Sequence, residues 1–204
     1  MTVAKKRPDK TGRKPRVDAV RNRELVLEAA KRVFSAGGPG ASLEAVAREA
    51  GVGIGTLYRH FPTREALFEA VYRREVQQLA DLAERLKEHA DPVDALRRWM
   101  RSNVNFVATK KGMSAALALA AYKNPDLYSY SFDRLTKAVR VLLDRAVVAG
   151  EIRDDIRAED VLRALVGMSM MHDRPGWQKS VLRLVDVFVD GLRITHGIKA
   201  HQKQ

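Results

Sequence analysis

SLEAVAREAGVGIGTLYRHFPTR, running from Ser42 to Arg64, spells two short helices around a glycine turn. Ser42 is an N-cap candidate, because its hydroxyl can accept a bond from an orphan backbone N–H of the first turn, and Glu44 just inside favours the positive end of the helix dipole. Leu43, Val46, Ala47 and Ala50 recur at the helical period, so one narrow face is apolar and has to dock on a core, while Glu44, Arg48 and Glu49 point away from it. Gly51 follows the last periodic residue, where a left-handed backbone suits a residue without a Cβ, and Val52 returns an apolar side chain to the same core. A second helix, expected over 54–60, sets Leu57 and Phe61 four apart towards that core and leaves Thr56, Arg59 and His60 facing out. Pro62 and Thr63 end it and start another.

Two helices and a glycine also describe an ordinary hairpin inside a bundle. The order of Gly51-Val52, then Gly55-Thr56-Leu57-Tyr58, then His60-Phe61 and Arg64 is more specific. It resembles the DNA-binding domain of the TetR family of bacterial repressors, where these pieces come in this sequence, and the likeness extends from about residue 24 to 72. The resemblance implies an all-α fold: an N-terminal three-helix DNA-binding domain with the helix-turn-helix, and a larger helical C-terminal domain for ligand binding and dimerisation. It also implies a sequence-specific transcriptional regulator, a repressor that a small-molecule effector releases from a pseudo-palindromic double-stranded DNA operator. The alternative is a constitutive or weakly specific DNA-binding protein of the nucleoid type, without an effector; comparing affinity for a palindrome and for random duplex in the same salt separates the two.

By the same resemblance the second short helix enters the major groove, and each side chain can be weighed there. Arg59 is the best base reader, since a guanidinium bonds both acceptors of guanine at about 1–3 kcal/mol of discrimination; a phosphate contact or a solvated arginine is the competing reading. Thr56 offers a hydroxyl and a methyl, and Ile54 a contact to a thymine methyl or to the core. Tyr58 and His60 match positions that bond phosphates in the family, and Arg64, starting the next helix, can reach the backbone across the groove. Ser42 and its neighbouring N–H groups form a helix N-terminus able to hold a phosphate. Gly53 departs from the family pattern, which often has a hydroxyl residue there. With Gly53 and Gly55 together, helix propensity drops by about 1 kcal/mol per interior glycine relative to alanine, so either DNA orders this helix or close backbone approach requires the glycines.

The rest of the composition narrows the function. The 204 residues hold no cysteine, which excludes disulfides, thiolate catalysis and zinc-thiolate fingers. His60, His89, His172, His196 and His201 form neither an i,i+4 metal pair nor a His-Glu-x-x-His run, and Asp154, Asp155, Glu159 and Asp160 read as a turn and helix start. Neither an enzyme nor a metal or cofactor site is expected. The longest apolar run, around 115–122, falls far short of the roughly 20 residues that span a bilayer, and no apolar segment follows the basic N-terminus to make it a secretory signal, so a cytoplasmic protein without membrane contact is expected. Net charge is +12. Residues 1–23 carry nine cations against Asp9 and Asp18, a net +7, with Pro8, Gly12 and Pro15 and almost nothing apolar. Such a segment buries too little to order itself; it reads as a basic arm over 1–20 whose natural partner is an anion, DNA phosphate or the minor groove in this setting, with anionic lipid or a plain solubilising tail as the alternatives.

Helix is the only regular element expected: from 18 or 21 to 36, then the two short helices, then 64–86, 93–110, 113–122, 127–148, 158–171 and 177–194, about nine in all. The domains expected are the arm at 1–20, a DNA-binding domain at 21–72, an effector-binding and dimerisation domain at 73–197, and a tail at 198–204. Val181, Leu182, Val185, Phe188, Val189 and Leu192 form one face of the last helix, which Leu184 and Val187 widen beyond what one neighbour covers. A homodimer through the last two helices is therefore expected, with Leu165 and Met168 supplying the partner face. Trp99, Met100, Phe106, Met113, Tyr122, Tyr128, Phe132, Met168 and Met171 are the aromatic and sulfur side chains from which an effector cavity could be built, most of them at core spacing.

Overall fold

A computed structural model describes residues 14–37, 40–112, 126–170 and 176–194. Among these the chain forms eight helices: α1 Lys14–Gly37, α2 Leu43–Ala50, α3 Ile54–His60, α4 Arg64–Leu86, α5 Pro92–Gly112, α6 Asp126–Val148, α7 Ala158–Met170 and α8 Trp177–Leu192. The helix expected over 113–122, and with it Met113 and Tyr122, lies outside the described residues, as do Met171, residues 1–13 and the tail. The chain divides into two compact units with a seam between Val71 and Tyr72.

In the first unit α1 turns Val26, Leu27, Ala30 and Phe34 inward, and the Phe34 ring stacks on Phe68 of α4 with centroids 4.2 Å apart. Each of Val26, Leu27 and Phe34, fully buried, contributes about 1.5–3 kcal/mol. α1 begins at Lys14, so the part of the expected arm from 14 to 20 is helical instead. Pro15 falls in the first turn, where its missing N–H removes no helical bond, so a residue that reads as a breaker is here compatible with a helix start. α2 is capped as its sequence suggests: Ser42 Oγ accepts from the Ala45 N–H at 3.1 Å. At its other end Gly51 sits at φ 67°, with Gly51 N–H bonded to the Arg48 carbonyl and Val52 N–H to that of Ala47, a Schellman closure. Leu43, Val46, Ala47 and Ala50 are all buried, and Arg32 of α1 pairs with Glu49 at 2.9 Å outside them.

In the second unit Trp99 of α5 is fully buried and its indole N–H donates to the Leu79 carbonyl of α4 at 2.9 Å. The Arg145 guanidinium of α6 donates to the carbonyls of Leu86 and His89, tying the turn after α4 to α6. Asp91 accepts from Asp94 N–H at 2.8 Å ahead of α5, whose first residue is Pro92. Gly150, at φ 71°, closes α6, and the chain then pairs Ile152 with Arg193 in a short antiparallel bridge. On α8, Val181, Val185, Val189 and Leu192 are buried within this one chain, while Leu184 and Val187, which widen the stripe, stay exposed. Leu165 of α7 is likewise 0% exposed and supplies no partner face, because its side chain already packs inside the unit. Arg97 and Arg101 of α5 meet Asp186 of α8, Arg101 at 2.9 and 2.7 Å to its two carboxylate oxygens.

Candidate nucleic-acid interface and a cavity of the second unit

α3 is held by what precedes and follows it. Gly53 is its N-cap residue, in extended backbone at φ −67°, ψ 145°, with no side chain to cap the helix; its carbonyl accepts from Thr56 at 2.9 Å. Phe61 ends the helix, is buried, and lies under the Arg23 guanidinium of α1, 5.2 Å from the ring centroid. Thr63 then caps α4 by accepting from Ala66 N–H at 3.1 Å. Leu57 is the fully buried anchor of α3.

With about 100° between successive residues, Ile54, Gly55, Tyr58 and Arg59 fall on one side of α3, and all four are exposed, Tyr58 to 45%. Thr56 borders them and is half-buried; its hydroxyl accepts from Arg59 Nη2 at 2.9 Å. No acidic residue lies on α3. His60 projects to the other side of the helix, half-buried, its ring 6.3 Å from that of Phe61. Ser42 stands outside this group at the head of α2, exposed, with its hydroxyl engaged in the cap. Arg64 is half-buried, its guanidinium 5.2 Å from the Phe68 ring centroid and 5.9 Å from that of Phe34. The arrangement offers a helix face with one arginine, one phenol, one hydroxyl and an apolar tip, free of negative charge, which suits a polyanion with readable edges.

The second unit contains a cavity of about 440 Å³ within the range of small-molecule sites. Phe106, Tyr128 and Phe132 line it, as their residue types suggested; Trp99 and Met100 are core instead, and Met168 does not line it. Periodicity gave no means of finding Tyr72, Asn103 and Lys110, which also line it. Burial pushes the Tyr72 phenol up from its ordinary value, and desolvation holds the Lys110 ammonium below the ordinary lysine range. Among the described residues no group of three or more His, Cys, Asp or Glu could hold a metal, and no helix is long and apolar enough to cross a membrane.

Comparison with known proteins bears on both regions. Residues 26–71 match the family model described as bacterial regulatory proteins, tetR family, and residues 91–194 that described as transcriptional regulator SbtR-like, C-terminal domain. The chain is similar to the crystal structure of a TetR transcriptional regulator from Streptomyces coelicolor, SCO0520: 46% identity and a TM-score of 0.77, over 85% of this chain and 99% of that one. It is 34% identical over 79 residues to the HTH-type transcriptional regulator SAB2452 of Staphylococcus aureus, covering 37% of this chain and 43% of that protein. It is 36% identical over 134 residues to the HTH-type transcriptional repressor LfrR of Mycolicibacterium smegmatis, covering 62% of this chain and 65% of the repressor. The matched stretch thus spans less than two thirds of either of these curated relatives.

Proposed function

Because the chain belongs to the TetR family of DNA-binding transcriptional regulators, we propose that it is a repressor that reads a pseudo-palindromic operator as a homodimer and leaves it when a small molecule enters the second unit. The observation that carries this reading is the exposed, acid-free face of α3, which presents Arg59 and Tyr58 with the half-buried Thr56 at its border; in this reading Arg59 and Thr56 meet base edges and Tyr58 meets a phosphate. Ser42, Gly55 and Arg64 supply phosphate contact or close backbone approach around it, and Ile54 reaches a thymine methyl. His60, on the other side of α3, contributes a phosphate contact from its ring N–H.

The dimer is supported by apolar side chains left uncovered on the last helix, Leu184 and Val187 of α8. Two-fold symmetry then presents two copies of α3 to two half-sites about one helical turn or a little more apart. α4 supports release, since it runs unbroken from Arg64, just after α3, to Leu86 in the second unit. A ligand that prefers the geometry unfit for DNA shifts the balance by its differential affinity, and a working switch needs a coupling of about 1–3 kcal/mol or more.

The test is to select duplexes from a random pool and measure affinity for the winning palindrome and a shuffled duplex in the same salt. A preference of about a thousandfold or more fits a specific regulator. A ratio near one would return the protein to the weakly specific, nucleoid-type class.

A further inference from the structure

The cavity of the second unit has a definite charge. Its described walls carry Lys110 and Arg163 and no carboxylate. Arg163 is paired at the rim with Asp160 at 3.3 Å, which leaves Lys110 as the cation facing the space. The Lys110 ammonium lies 4.8 Å from the Tyr128 ring centroid and 6.0 Å from that of Tyr72. Those ring faces are its partners among the described residues, a weaker match for a desolvated ammonium than a carboxylate. Two turns earlier on α5 stands Asn103, 1% exposed, with neither its Nδ2 nor its Oδ1 hydrogen-bonded. Buried amides without partners are rare and costly, and one that lines a cavity points to a polar group on the occupant. Seven residues separate the two, about 10 Å along the helix axis, and Phe106 and Val107 lie between them on the cavity wall.

We propose that the cavity takes an amphipathic organic anion, with its acid group paired to Lys110, its apolar body along Phe106 and Val107, and a distal hydroxyl or amide on Asn103. An organic cation of the same body meets Lys110 with no acid to receive it, so the site selects by charge sign. The inference rests on the reading of the second unit as the effector-binding unit.

Calorimetric titration of the full chain with decanoate, 10-hydroxydecanoate and decylamine tests it. Decanoate should bind about tenfold or more tightly than decylamine, the worth of one charge-assisted bond. That gap should close in Lys110→Met and persist in Lys110→Arg, which also controls for folding. The added hydroxyl of 10-hydroxydecanoate should tighten binding to the wild type and not to Asn103→Leu. Equal binding of the amine, a gap that survives Lys110→Met, or no binding by any of the three overturns the proposal. Decanoate that binds but leaves operator affinity unchanged counts against release and leaves the ligand class standing, whereas release by decylamine alone does the reverse.

Discussion

Arg59 donates from Nη2 to the hydroxyl of Thr56, three residues back on the same short helix, at 2.9 Å. The guanidinium is thereby steered along the exposed face of α3 with its other donors open, and the pair acts as one reading unit. Arg59→Ala should relax base preference at one symmetric pair of operator positions by about 1–3 kcal/mol. Thr56→Val, which keeps the shape and removes the acceptor, should change the ranking at the same pair. Anisotropy titrations against singly substituted operators check both; a flat response to Arg59→Ala would remove Arg59 from the list of readers.

Gly51 and Gly53 flank the turn, and a Cβ at either would meet open space. They differ in backbone. Gly51 lies at φ 67°, where an L side chain is strained, so Gly51→Ala should destabilise the protein by about 1–2 kcal/mol. Gly53 is extended at φ −67°, so Gly53→Ser adds a cap and restricts the unfolded chain, and should stabilise by about 0.5–1 kcal/mol. Thermal unfolding of the two variants should move in opposite directions.

Val187 is 69% exposed on α8, so a charge there is harmless to an isolated chain. Val187→Asp, alone or with Leu184→Asp, should leave the circular dichroism unchanged and shift sedimentation from twice the chain mass of 22.9 kDa to the mass of one chain. A wild type already sedimenting as one chain at micromolar concentration would contradict the dimer.

Burial raises the Asp186 carboxyl, but the bonds from Arg101 and Arg97 outweigh it and hold the group below the ordinary carboxylate range. A depressed carboxyl contributes stability above its unfolded pKa and loses it as pH falls through the folded value. Its side chain is 38% exposed, so solvent screening limits the contribution. Asp186→Asn should therefore cost about 0.5–1 kcal/mol at neutral pH, and the variant should converge with the wild type as pH falls through the depressed carboxyl value. Urea unfolding at neutral pH and along the acid limb measures the difference.

The local rules were readable from the residues because each is settled within a few positions: the Ser42 cap, the left-handed Gly51, the burial of Leu57 and Phe61. Rules that depend on distant neighbours were not. Leu165 and the Val181–Val185–Val189 stripe have the pattern of a face in need of a partner, and pattern alone does not say whether that partner is the same chain. Lys110 and Asn103 fall on α5 where a helical period marks neither as unusual; only the packing of α4, α6 and α7 around an incompletely filled space gives them a role. The side of α3 that holds Ile54, Tyr58 and Arg59 was legible in outline, but the link from Arg59 to Thr56 required side-chain geometry.

The buried indole of Trp99 also makes the protein report on itself. The chain has two tryptophans, Trp99 and Trp177, and both belong to the second unit; residues 1–71 have none. Emission on denaturation therefore follows the second unit alone, while far-ultraviolet dichroism follows every helix. Superimposed curves would mean that the DNA-reading helices and the effector unit melt as one cooperative block, and separated curves that the two have independent stabilities.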